Sequence, residues 1–223
     1  MAGFRRAFDE GYRYLETDVH ATSDGRLIAF HDPQLERVTD RRGVIAKLPW
    51  SEVRRARIGG TEQIPLLADL LEEFPTARFN IDAKSDTAVA PLAELLVSTG
   101  ATDRVCLVSF ADRRLTRLRA ALGPDVALAL GPQELFRLFR ASALRRRFPT
   151  TAAAAQVPLS YQGVTIVTPR FIATAHATGL EVHVWTIDEP AEMRRLLALG
   201  VDGIMTDRPE LLRDVLIERG SWH

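Results

Sequence analysis

Cysteine is all but missing: Cys106 stands alone among 223 residues. That excludes an intrachain disulfide and a cysteine-based zinc site. Its apolar surroundings, Val105 to Val108, predict a core thiol. Charge of one sign is missing too. Lys plus Arg and Asp plus Glu each number 29, so the formal net charge is zero. Such a balance gives no footing to a nucleic-acid partner or a polybasic membrane attachment. The run Arg145-Arg146-Arg147 reads as a solvated helix end. No apolar run approaches the ~18 residues that span a bilayer, so no stable membrane insertion is expected. The opening Met1-Ala2-Gly3-Phe4-Arg5-Arg6 is not a secretory leader. No glycine-rich loop follows a strand, which argues against a dinucleotide-binding or P-loop fold.

What is present is alternation. Short apolar runs at 14–19, 78–83, 104–110, 126–130, 153–157 with 164–167, 181–186 and 202–206 read as strands. Helical patterns fall at 4–10, 66–74, 88–98, 113–122, 134–147, 171–178, 189–199 and 209–219, several closed by glycine. Strands alternating with helices imply parallel βαβ units, and hence an α/β fold. A closed (β/α) barrel has eight strands. The expectation is a TIM (β/α) barrel lacking its first strand, with seven parallel strands alternating with helices, as a single domain over 1–223. An open doubly wound sheet is the alternative.

The chemistry concentrates near the start. On a strand, residues i and i+2 share a face, so Glu16 and Asp18 aim two carboxylates at one spot, with Thr17 turned away. Adjacent like charges on a half-apolar strand are costly unless a cation joins them. Asp24-Gly25 is a strong hairpin-turn signal, and the run Leu27 to Phe30 after it returns His31 to the same neighbourhood. Paired carboxylates beside a histidine suggest metal-assisted hydrolysis.

These residues resemble the glycerophosphodiester phosphodiesterase family, which uses a TIM barrel. The matching elements are Glu16-Thr17-Asp18-Val19, Thr22-Ser23-Asp24-Gly25, Phe30-His31-Asp32 and Ile64-Pro65-Leu66. They continue with Asn80 to Lys84, Ser109-Phe110, Val184 to Ile187 and Gly200 to Pro209. The resemblance implies that Glu16 and Asp18 are a metal-binding pair. Asp82 falls where the family usually has a glutamate completing the site, one methylene longer. Lys84 falls where a lysine approaches the phosphate, His31 matches one of two catalytic histidines, and Trp185 matches an aromatic lining the pocket. The family's His-Arg-Gly turn, with Glu-Asn-Thr after it, has no counterpart before Met1, so one catalytic histidine and a phosphate-facing arginine are expected to be absent from the chain as given. A start assigned too late or a remnant gene would each explain this.

Every candidate metal ligand is an oxygen, so the expected cofactor is a hard divalent cation, Mg²⁺ or Ca²⁺. The expected partner is a small-molecule phosphodiester. The expected reaction is metal-dependent hydrolysis of a glycerophosphodiester to glycerol phosphate and an alcohol, impaired in the chain as given because His31 fills only one of two proton roles. The alternatives are a remnant barrel that binds metal or phosphate without catalysis, and a hydrolase of a related phosphodiester such as a lysophospholipid. The chain as given is expected in the cytoplasm; a leader upstream of Met1 would change that. His20 is expected to turn away from Asp18, and His176 and His183 to be structural. Asp202 is expected to hold a loop, and Asp207 to cap the last helix.

Overall fold

The computed structural model describes residues 1–222, which divide into two compact units, Met1–Leu128 and Ala129–His223, the last residue lying outside the described set. In the first unit α1 (Ala2–Asp9) leads into β1 (Tyr14–Ala21). The hairpin strand β2 (Leu27–Ala29) returns antiparallel, with Val19 opposite Ala29. An excursion follows, holding α2 (Trp50–Val53) and the paired two-residue strands β3 (Arg57–Ile58) and β4 (Glu62–Gln63). Then come α3 (Leu67–Glu73), β5 (Arg78–Ala83), α4 (Val89–Thr99), β6 (Val105–Val108), α5 (Asp112–Leu122) and β7 (Ala127–Leu128). The sheet order is β2-β1-β5-β6-β7, and all pairs but the hairpin are parallel.

The second unit holds α6 (Pro132–Leu144), β8 (Ala154–Pro158), β9 (Ser160–Tyr161), β10 (Val164–Thr165) and α7 (Pro169–His176). It ends with β11 (Glu181–Trp185), α8 (Pro190–Leu199), β12 (Gly203–Ile204) and α9 (Pro209–Glu218). Here β12, β11 and β8 pair parallel in that order. With β1, β5, β6 and β7 they make the seven parallel strands expected.

Local sequence explains the elements. In α4, Val89, Leu92, Ala93 and Leu96 recur at helical spacing and are buried, and Gly100 takes the left-handed C-cap at φ +64°. In the first unit Val89, Leu92 and Leu96 join Leu15, Val19, Phe79, Ile81 and Leu107 in one core. The excursion gathers a second, smaller core around Ile28, Leu35, Ile45, Val53 and Ile64.

Several boundaries differ from the sequence reading. Helices α6, α7 and α8 begin on Pro132, Pro169 and Pro190, the first two earlier and the third one residue later than the apolar periodicity suggested. Proline suits the first helical position because its missing N–H has no partner there in any helix. The segment 164–167 does not extend a parallel strand; Val164–Thr165 closes a small hairpin on Ser160–Tyr161. Cys106 is half-buried rather than a core thiol, because Val105 and Leu107 take the inward positions of β6. Arg145, Arg146 and Arg147 are exposed, as expected of a solvated helix end.

Gly203 pairs with His183 across β12 and β11, and a Cβ there would lie 2.7 Å from His183 Cδ2. The ring cannot swing away freely, since Nε2 meets Glu181 at 3.0 Å and Nδ1 meets Gln156 at 3.4 Å. Gly203→Ala is therefore expected to cost about 1–3 kcal/mol, the usual range for overpacking. Urea denaturation checks it; an unchanged midpoint would contradict the contact.

Candidate active site

Strand β1 alternates as its sequence requires. Leu15, Thr17 and Val19 are buried, while Glu16 is exposed and Asp18 half-buried. A cleft of about 260 Å³ opens beside the two carboxylates, lined also by Phe30, His31, Arg37 and Val38. Asp82 lies opposite Asp18 in the parallel register of β5 on β1.

Lys84 joins the two aspartates. Its Nζ is 2.8 Å from Asp18 Oδ1 and 2.8 Å from Asp82 Oδ2. Burial pushes the Asp82 carboxyl up, against the pull of the Lys84 ammonium. Burial alone would lower Lys84, but hydrogen bonds to Asp18 and Asp82 together outweigh it and hold the ammonium above its ordinary value. The two directions are consistent: the lysine answers to two carboxylates, and Asp82 to one ammonium.

Asp82 Oδ1 is buried and has no hydrogen-bond partner. Buried oxygens left in that state are costly and call for an explanation. Among the described residues no three His, Cys, Asp or Glu side chains are gathered closely enough to cage a cation. The space between Asp18 and Asp82 is bridged by the Lys84 ammonium instead. The donor set nonetheless suits a hard cation. All its atoms are oxygens, one of them is the unpartnered Oδ1, and Lys84 offsets only one of the three carboxylate charges on Glu16, Asp18 and Asp82.

His31 stands at the end of the hairpin. The Phe30 N–H donates to Asp18 O at 2.9 Å, and the next residue leaves the ladder at the cleft. Its side chain is 66% exposed, with Nδ1 2.6 Å from Asp32 Oδ1. Arg37 clasps the same carboxylate through Nε and, at 3.0 Å, through its Nη2. The Arg37 hydrogen bond, followed by that from His31, brings the Asp32 carboxyl down to about 2. An ionised carboxylate only accepts, so His31 Nδ1 carries the proton and Nε2 is the basic nitrogen.

His20 corrects the sequence reading. It lies two residues from Asp18, which on a strand is the same face, not the opposite one. It is 6% exposed, and its Nε2 is 3.1 Å from His31 O. Burial lowers its pKa, with Asp18, Lys84 and His31 as the charged or titratable groups around it. Arg37 was not singled out in the sequence either. It sits in the irregular excursion, and its role emerges only through the turn that brings it to Asp32.

In the second unit Trp185 ends β11, half-buried. Asp202 holds its loop as expected, with Oδ2 accepting from Val182 N–H at 2.7 Å and lying 2.8 Å from His176 Nε2. Asp207 does not cap α9: Arg208 is the N-cap, and the Asp207 N–H donates to Asp188 Oδ1 at 2.9 Å.

With this geometry in hand, known proteins are informative. The model of the glycerophosphoryl diester phosphodiesterase family matches residues 1–211. The "Probable glycerophosphodiester phosphodiesterase 2" of Mycobacterium tuberculosis is 40% identical over 227 residues, covering 100% of this chain and 86% of that protein. A lysophospholipase D of Homo sapiens is 26% identical over 254 residues, covering 97% of this chain and 81% of that protein. An Oleispira antarctica phosphodiesterase, solved in complex with the product sn-glycerol-3-phosphate, is similar with a TM-score of 0.80 at 23% identity, covering 97% and 90% of the two chains. That likeness concerns the fold, a TIM barrel. Strand order, motif spacing and these relatives agree: the chain belongs to the glycerophosphoryl diester phosphodiesterase family, α/β TIM-barrel enzymes that hydrolyse phosphoric diesters.

Proposed function

We propose that the chain cleaves glycerophosphodiesters to glycerol phosphate and an alcohol with the help of a divalent cation, using Glu16, Asp18, Asp82, Lys84 and His31. The observation that carries this reading is the single cleft shared by Glu16, Asp18, His31 and Arg37, with the unpartnered Asp82 Oδ1 on the neighbouring strand. Held by Glu16, Asp18 and Asp82, Mg²⁺ or Ca²⁺ would supply Lewis-acid polarisation of the phosphoryl oxygens. The Lys84 ammonium binds a nonbridging oxygen and orients the phosphate. Asp32, kept ionised by Arg37, fixes the His31 tautomer, so Nε2 faces the reacting oxygens as the group that takes or returns a proton.

Turnover by these residues is proposed to be slow. Phosphodiester cleavage needs one group to take a proton from the nucleophile and another to give one to the leaving alkoxide. Among the described histidines, His20, His176 and His183 are committed to His31 O, Asp202 and Glu181. His31 is left with one of the two roles.

The test is release of glycerol phosphate from glycerophosphocholine by chelator-treated protein, before and after adding Mg²⁺ or Ca²⁺. Slow release that appears only with the cation is expected. An equal rate in chelator would sink the metal role, and no release with any cation would sink the activity. The same assay on a lysophospholipid addresses the second reading, which the human lysophospholipase D relative favours.

A further inference from the structure

We propose that His20 is a positioning residue for His31, adding one side-chain rung to the β1–β2 ladder where its backbone rungs end. The inference rests on the role given to His31 above. The hairpin pairs Ala21 with Leu27, His20 with Ile28 and Val19 with Ala29. Its last backbone bond toward the cleft runs from Phe30 N–H to Asp18 O at 2.9 Å. One residue later the chain must turn into the excursion, and a free carbonyl there would leave the His31 backbone able to rock. The His20 imidazole meets that carbonyl instead, at 3.1 Å and 6% exposure.

A carbonyl has no proton to give, so His20 Nε2 is the donor and the neutral ring is held as the Nε2–H tautomer. His31 is thereby tethered twice. His20 holds its main chain, and Asp32 holds Nδ1 of its ring. Packing alone does not call for a hydrogen-bond donor at this buried position, on the face of β1 that Asp18 shares. Small misplacements of a proton-transfer group are expensive, with about 10²-fold in rate for ~1 Å. His20 does not touch the substrate; it acts through His31.

Two variants separate positioning from packing. His20→Leu keeps bulk and removes the donor. His20→Gln keeps a donor, since its amide nitrogen reaches nearly as far as imidazole Nε2. His20→Leu is expected to lower kcat about 10- to 100-fold with KM little changed, and His20→Gln to restore most of it. Imidazole ¹⁵N NMR gives a readout that needs no turnover. It is expected to find His20 as the Nε2–H tautomer in the unaltered chain, and the His31 ring more mobile in His20→Leu but not in His20→Gln. An Nδ1–H tautomer at His20, equal loss in both variants, or a His31 ring equally ordered in all three proteins would overturn the inference. If the unaltered chain releases no glycerol phosphate, the proposed function fails, while the NMR comparison still decides whether His20 holds His31.

Discussion

His31→Ala is expected to lower kcat for glycerophosphocholine by about 10²–10⁴-fold, the range for loss of one general acid–base group. The effect should fall on kcat and leave KM nearly unchanged, because the exposed imidazole meets the reacting oxygens and does not grip the organic part of the substrate. Stability should barely move. The His31 side chain is 66% exposed, and Asp32 keeps its two hydrogen bonds from Arg37 when the one from His31 is lost. The discriminating control is Asp32→Asn. An amide can present its NH₂ to His31 Nδ1 and so favour the wrong tautomer, with the proton on Nε2. That variant should lose activity while keeping the imidazole. Equal rates for His31→Ala and the unaltered chain, measured at saturating substrate and cation, would remove His31 from the reaction.

Lys84→Met is expected to destabilise the metal-free chain by about 3 kcal/mol, toward the lower end of the penalty for stripping one partner from a buried ion pair. The lysine holds two carboxylates at 2.8 Å each, and Asp82 is only 4% exposed. Without the ammonium, Asp82 keeps a buried charge with one oxygen already unpartnered. For a domain of this size the melting temperature should fall by roughly 6–12 °C. Replacing Asp82 with asparagine in the same chain should return much of that loss, because the uncompensated charge goes with it. The pH dependence has a definite sign. A carboxyl whose folded pKa lies above its unfolded value binds more protons when folded, so its contribution to stability falls as pH rises between the two. Asp82 is such a group. Losing Lys84 removes the pull that opposes the upward shift, so the deficit should be larger in neutral than in mildly acidic buffer. A melting temperature unchanged at neutral pH would mean that the bridge contributes nothing.

How far the sequence could be read depended on how much of each element's reason was local. Alternation in Leu15 to Val19 and the turn at Asp24-Gly25 were legible because their period and φ demands lie within a few residues. The helix end at Gly100 was legible for the same reason. So were Glu16, Asp18 and His31 as neighbours of one cleft. The excursion was not legible. Its strands are two residues long, too short to show a period, and they exist because Ile28, Leu35, Ile45, Val53 and Ile64 meet across distant turns. Arg37 inherits that obscurity. The bridging of Asp18 and Asp82 by Lys84 could not be foreseen either, since strand spacing tells which face a side chain takes but not which partner it chooses there. His20 was different: its parity with Asp18 was available in the sequence and was read on the wrong face.

The excursion with its private core has one more consequence. The carboxylates of Asp18 and Asp82 sit on β1 and β5, with Lys84 just past the end of β5, and the packing of these two strands belongs to the main core of the first unit. Val38 and Ile58, on the other wall of the cleft, belong to the small core. Mutations that resize or recolour that wall are absorbed by a handful of side chains and do not strain the strands. Over evolutionary time this lets substrate preference drift while the reaction is inherited intact, so relatives in this lineage should differ most between Pro33 and Glu62 and least along β1 and β5.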